Sequence, residues 1–253
     1  MQFPDEVRFI QEISLNAWPA KCILFFNGWI LRISEGVTSR ANSVLPVQYY
    51  GKNLTEDISL VEKIYKSHNL SLEFQITEKS APKELTQKLT MLGYRKIKPS
   101  SVMNIKIKDL TKNEDNNLYR YICIEDESNV WFQFLTDIFN LSTTRIQGLK
   151  NIIGRIKWPQ KVFVSAMKGK EIVGVVLGVL ERRYLGIYEL AVRPEFRRRG
   201  IASSLLQTLA QWGRTHQATK LYLQVQNDNT NALALYQKIG FQVLYNYYYL
   251  SLP

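Results

Sequence analysis

Residues 187–202 (IYELAVRPEFRRRGIA) leave the chain few ways to fold. Ile187-Tyr188-Glu189-Leu190-Ala191-Val192 has the composition of a buried strand. Pro194 then removes a backbone donor and fixes φ, which ends it. Ile201, Leu205, Leu209 and Trp212 recur at helical spacing, so a helix is predicted to begin just after Gly200. Glycine at such a strand-to-helix turn lets backbone N–H groups approach a ligand. Flanking arginines add positive charge, and the helix N-terminus contributes about half an elementary charge more. The combination suits a phosphate or pyrophosphate. The spacing Arg197-x-x-Gly200-x-Ala202 is neither that of a Walker loop nor that of a Rossmann fingerprint. Taken alone, the same residues also describe a solvated basic turn.

The order of elements further on decides between these. Leu221–Gln226 alternates as a strand, and Asn227-Asp228-Asn229 is rich in helix-capping residues. Ala232, Leu235, Tyr236 and Ile239 form one helical face, and Gly240 ends that helix before Phe241 opens another strand. Here the sequence resembles the GNAT superfamily of acetyl-CoA-dependent N-acetyltransferases. The superfamily's pyrophosphate motif, Arg/Gln-x-x-Gly-x-Gly/Ala, is matched by Arg197, Gly200 and Ala202. Its later signature, Asn-x-x-Ala-x-x-Leu-Tyr-x-x-x-Gly-Phe, is matched by Asn229, Ala232, Leu235, Tyr236, Gly240 and Phe241. The resemblance covers roughly residues 118 to 253.

The resemblance implies an α+β GNAT fold, a mixed and mostly antiparallel sheet flanked by helices, and transfer of an acetyl group from acetyl-CoA to a primary amine. Strand residues Leu190, Ala191 and Val192 would expose backbone groups to the thioester and the pantetheine arm. Arg197, Arg198, Arg199, Gly200, Ile201, Ala202 and Ser203 would cradle the pyrophosphate, and Asn229 would orient the pantetheine side. Tyr236 stands where relatives often carry a tyrosine that protonates the departing thiolate, though its helical face also suits a core tyrosine. Glu189 is the candidate base or ligand of the substrate ammonium, with a salt-bridged strand residue as the alternative. Gln224 replaces a glutamate found in some relatives and cannot act as a base. Two other functions stay open at this stage. One is a non-catalytic acyl-CoA-binding or regulatory protein, and the other a basic nucleic-acid-binding module.

The first half reads as a degenerate copy of the second. Leu54–Tyr65 is expected to be helical and Leu70–Ile76 a strand, followed by a helix from Leu85, Gly93-Tyr94, and strands to Ile107. The same order runs from Gly200 to Leu250. The polar run Asp109–Asn117 is the expected linker, which gives a GNAT-like domain over 1–110 and a catalytic one over 118–253. No Arg-x-x-Gly-x-Gly/Ala occurs in the first half, so no acetyl-CoA site is expected there. Its Ile23–Leu31 segment reads as a hairpin around Asn27-Gly28. Arg32, Arg40 and Asn42 lie in segments that resemble tandem GNAT proteins. They could hold a carboxylate or other polar substrate group in an inter-domain cleft, or form a structural polar network. The run Tyr245, Tyr247, Tyr248, Tyr249 is expected to be a strand with large side chains.

Charge agrees with an anionic ligand on the second half. Of a net charge of +11, residues 118–253 hold 17 Lys and Arg against 9 Asp and Glu. Such a field steers a polyanion such as coenzyme A. It would also attract nucleic acid, but no helix-turn-helix, zinc-finger or RNP-type motif accompanies it, so nucleic-acid binding is not expected. Cys22, Cys123, His68 and His216 have no metal-ligating or redox spacing, so no metal is expected. A cytoplasmic setting is expected, since the first residues show no basic segment leading into an apolar core. The longest apolar stretch, Ile172–Leu180, suits a buried strand and is too short for a membrane span.

Overall fold

The computed structural model describes residues 5–111, 118–126 and 129–253. Most of the expected linker, 112–117, and residues 1–4 of the N-terminal segment lie outside them. The elements run α1 (Glu6–Ala17), β1 (Cys22–Phe26), β2 (Trp29–Ile33), β3 (Val44–Leu45), α2 (Leu54–Ser67), β4 (Glu73–Ile76), α3 (Leu85–Met91) and β5 (Arg95–Lys106). They continue with β6 (Arg120–Ile124), α4 (Asn129–Phe139), α5 (Thr143–Gly154), β7 (Gln160–Lys168), β8 (Glu171–Glu181) and β9 (Tyr184–Val192). The last are α6 (Ile201–Thr215), β10 (Lys220–Gln226), α7 (Thr230–Lys238) and β11 (Gln242–Ser251). Two compact units result. Among the described residues, the first comprises 5–101, 226–228 and 244–253, and the second those from 102 to 225 and 229–243. No helix of the described residues is long and apolar enough to cross a membrane.

In the first unit the strands lie in the order β1-β2-β3-β4-β11. The β1/β2 hairpin turns through Asn27 at φ +45° and Gly28 at φ +88°, as an Asn-Gly turn demands. The chain also crosses close by, so a Cβ on Gly28 would stand 2.8 Å from the carbonyl carbon of Gln48. Trp29, Leu31, Phe74 and Leu250 from the sheet pack with Ile58, Val61 and Tyr65 of α2 and Leu85 and Leu89 of α3. Trp29 and Tyr94 each meet Phe74 edge to face.

The second unit orders its strands β5-β10-β9-β8-β7-β6. Strands β6 to β9 are antiparallel neighbours, and β10 joins β9 in parallel. The stripe predicted from sequence, Ile201, Leu205, Leu209 and Trp212, is buried. Two glycines of β8 let α6 approach. A Cβ on Gly178 would fall 2.4 Å from Leu209 Cδ1, and one on Gly174 would fall 3.1 Å from both Ile201 and Leu205. Leu209 is fully enclosed, so Leu209→Ala is expected to destabilise the protein by about 2–5 kcal/mol in chemical denaturation.

The order of elements read in the sequence recurs along the chain, although its closing strands do not follow the two units, β11 lying mostly in the first and β5 running into the second. One copy runs α2, β4, α3, Gly93, β5, and the other α6, β10, α7, Gly240, β11. Both helix-ending glycines adopt the left-handed conformation, at φ +89° and +103°, which favours glycine at a helix C-terminus.

Candidate active site

The strand that precedes the basic loop is bent by its own pairing. Val175 of β8 faces Ala191 and Leu177 faces Tyr188, so Glu189 and Leu190 together stand opposite Val176 as a bulge. Glu189 takes φ +49° there, a conformation glutamate adopts only when its surroundings impose it. On the other side, the parallel ladder with β10 runs from Tyr184/Lys220 to Ile187/Leu223. Beyond it, Leu190, Ala191 and Val192 continue without that ladder and line an open cavity of about 630 Å³.

The loop after β9 is held at its root. Arg193 N–H donates to Val173 O (2.9 Å), Arg193 Nε to Ile172 O (2.9 Å), and Arg197 Nε to Val192 O (3.1 Å). A single 3₁₀ turn, Pro194–Phe196, follows, and then Arg198 and Gly200 adopt left-handed φ values of +59° and +80°. Successive N–H groups in such a turn converge into an anion-binding concavity. Gly200 is the N-cap of α6 and offers no side chain to its amides. The first intrahelical bond runs from Ser204 N to Gly200 O. The amides of Ile201, Ala202 and Ser203 therefore remain for a ligand, at the positive end of a 15-residue helix.

Arg197, Arg198, Gly200, Ala202, Ser203 and Asn229 line the same cavity, and Tyr236 stands in its wall. Of the other expected cofactor residues, Ile201 is buried in the core and could offer only its amide. The Arg199 guanidinium lies over the Phe196 ring at 5.5 Å. Asn229 caps α7, its Oδ1 accepting from Ala232 N at 3.2 Å. Glu189 is half-buried at the bulge.

Tyr236 belongs to both the cavity wall and the core, where its ring tilts against Phe241 at 5.7 Å. Burial pushes its phenol up to about 12, so the hydroxyl keeps its proton at neutral pH and is available as a donor.

Several lining residues carried no sequence signal. Ile138 and Phe139 come from the end of α4, and Asn231, Ala234 and Lys238 from α7. Asn231 Oδ1 accepts from Arg198 Nη2 at 3.1 Å, which ties the basic loop to α7. With Arg197, Arg198 and Lys238, the described lining carries positive charge and no carboxylate. Among the described residues no group of three His, Cys, Asp or Glu could hold a metal ion.

The remaining candidates lie in the first unit. Arg32 is buried against Ser43 and Gln75. Arg40 lies over the Trp18 ring at 4.9 Å. Asn42 is bonded within its own loop, accepting from Ser34 N (2.8 Å) and Gly36 N (3.2 Å) and donating to Thr38 O (2.8 Å).

Similarity to solved structures shows that the fold carrying this bulged strand, uncapped helix and Gly-ended α7 is the GNAT fold. The GCN5-related N-acetyltransferase from Kribbella flavida superposes with a TM-score of 0.69 at 12% identity, over 96% of this chain and 95% of that one. A tandem GNAT protein from the clavulanic acid biosynthesis pathway superposes with a TM-score of 0.68 at 7% identity, over 95% and 86%. The chain belongs to the family described as "Probable histone acetyltransferase Rv0428c C-terminal", which matches residues 5–250. It is also 28% identical over 248 residues to the uncharacterized N-acetyltransferase YobR of Bacillus subtilis (strain 168), covering 97% of this chain and 98% of the relative. Family and fold together give acetyl transfer as its general chemistry.

Proposed function

We propose that the second unit transfers an acetyl group from acetyl-CoA to a primary amine by direct attack of the amine on the thioester. The observation that carries this reading is one continuous cavity. It has uncapped helix amides and arginines at one part of its wall, bulged-strand backbone at another, and a protonated phenol at a third. Acetyl-CoA supplies the activated acyl group and a thiolate leaving group. The amides of Ile201, Ala202 and Ser203, with Arg197 and Arg198, would hold the pyrophosphate by charge-assisted hydrogen bonds. Each such bond is worth on the order of 1.5–3 kcal/mol. Backbone of Leu190–Val192 would align the pantetheine and polarise the carbonyl.

As the C–N bond forms and the C–S bond breaks, the amine nitrogen must lose a proton and the sulfur gains one. Tyr236 would stabilise the departing sulfur by donating a hydrogen bond. Glu189 is the proposed carboxylate on the acceptor side, drawing in the ammonium or taking its proton directly or through water.

The first unit lacks the features of such a cradle at the matching helix. The start of α2 is capped by Asn53, whose Oδ1 accepts from Thr55 N (3.2 Å) and Glu56 N (3.4 Å). Glu56 and Asp57 put negative charge in its first turn. A saturating calorimetric titration is therefore expected to give one acetyl-CoA per chain, and two equivalent sites would contradict the assignment. Thiol release from acetyl-CoA with a panel of primary amines tests the transfer. Tight binding with no release for any amine would favour the non-catalytic acyl-CoA-binding reading.

A further inference from the structure

We propose that the first unit contains a buried recognition site for an α-amino acid, with its carboxylate held by Arg32 and Tyr249 and its ammonium by Glu73. The proposal is independent of acetyl transfer, since every residue in it belongs to the first unit. A polar row crosses four neighbouring strand segments. Arg32 on β2 donates its backbone N–H to Ser43 O, just before β3. Gln75 on β4 is directly opposite Tyr249 on β11. All four side chains are buried, in a position where apolar residues normally sit.

The hydrogen bonds of this row do not close. Arg32 Nε donates to Ser43 O (3.0 Å), and its Nη2 donates to Ser43 Oγ and to Gln75 Oε1 (2.7 Å). Among the described residues these acceptors are all neutral, so the charge of an arginine only 5% exposed is not matched by a bonded carboxylate. Buried charges are ordinarily paired. The Tyr249 hydroxyl, on a residue 2% exposed, has no hydrogen-bond partner. Glu73 Oε2 is buried without a donor, while Glu73 Oε1 accepts from Lys98 Nζ at 2.8 Å. Glu73 lies two residues before Gln75 and so shares its face of the sheet.

One face thus holds a cation without a bonded anion, a hydroxyl without an acceptor, and a carboxylate oxygen without a donor. A carboxylate alone would leave Glu73 unanswered, and an amine alone would leave Arg32 and Tyr249 unanswered. A molecule carrying both groups answers all three. Arg32 Nη1 and the Tyr249 hydroxyl would donate to its carboxylate, and its ammonium would donate to Glu73 Oε2.

The test uses the full chain, with thermal shift and calorimetry against the common L-amino acids, their N-acetyl derivatives and their amides. At least one free amino acid is expected to bind and raise the melting temperature. Its N-acetyl and amide forms are expected to bind at least about tenfold more weakly, each losing one charged contact. Tyr249→Phe removes an unpaired buried hydroxyl, so the free variant should melt at or above the parent temperature. It should nevertheless bind that amino acid about tenfold or more weakly. The proposal is overturned if no amino acid binds, or if the N-acetyl form binds as well as the free one. It is equally overturned if Tyr249→Phe binds like the parent, or melts well below it in the absence of ligand.

Discussion

Gly200→Glu is expected to yield a folded protein that no longer binds acetyl-CoA. Gly200 sits at φ +80°, where an L side chain costs about 1–2 kcal/mol, a loss a domain of this size tolerates. The consequence for the ligand is larger. The new side chain enters the concavity formed by the amides of Ile201, Ala202 and Ser203 and places a carboxylate where phosphate charge would lie. Losing two phosphate bonds of about 1.5–3 kcal/mol each already weakens binding by roughly a hundredfold or more. Like-charge repulsion adds to that. Gly200→Ala carries the same backbone penalty without the carboxylate, so it should retain much more affinity. Calorimetry on variants with parental circular dichroism reads the difference, and unchanged affinity in Gly200→Glu would remove the pyrophosphate assignment.

What the sequence reveals here depends on how local the cause is. The stripe Ile201, Leu205, Leu209, Trp212 states a helix and its buried face, because periodicity and packing agree. Asn27-Gly28 and the pair Gly93 and Gly240 state their turns, since positive φ is a property of those residues themselves. The left-handed conformation of Glu189 follows from a mismatch of register with β8, which no neighbour in sequence announces. The expected separate strands before Ile107 are one strand, β5, irregular within itself at Lys98, which has φ +49° and precedes Pro99. In the candidate site, Arg197, Gly200, Ala202, Asn229, Ala232, Leu235 and Tyr236 are motif residues that also line the cavity. Ile138 and Phe139 were not legible, because tertiary packing brings the end of α4 to the cavity. Asn231 and Lys238 also escaped, since a reading of α7 by its apolar face passes over polar residues beside it. The run of tyrosines in β11 shows the same limit. It reads correctly as a strand, but only the register with β4 sets Tyr249 beside Gln75.

Tyr236→Phe should lower kcat by roughly 10²–10³, the range for removing one donor aimed at developing negative charge. The phenol is pushed up to about 12 by burial, whereas an ordinary thiol titrates near 8.5. Complete transfer of its proton to a thiolate would run uphill by roughly 5 kcal/mol. Hydrogen-bond donation therefore carries the effect, and the proton that sulfur finally takes comes from the acceptor nitrogen or from water. The affinity for acetyl-CoA should change little, because the ring and its contact with Phe241 remain. The melting temperature should also hold, with at most about 0.5–1.5 kcal/mol lost from one neutral hydrogen bond. The sign of the shift fixes the pH behaviour. The neutral, donating form persists until pH rises toward about 12, so Tyr236 adds no inflection across the neutral and mildly alkaline range. A rise in rate with pH should then reflect deprotonation of the amine and appear unchanged in the variant. Preserved turnover with a lowered melting temperature would instead make Tyr236 a packing residue, and leave the departing sulfur to be stabilised by other groups in the cavity wall.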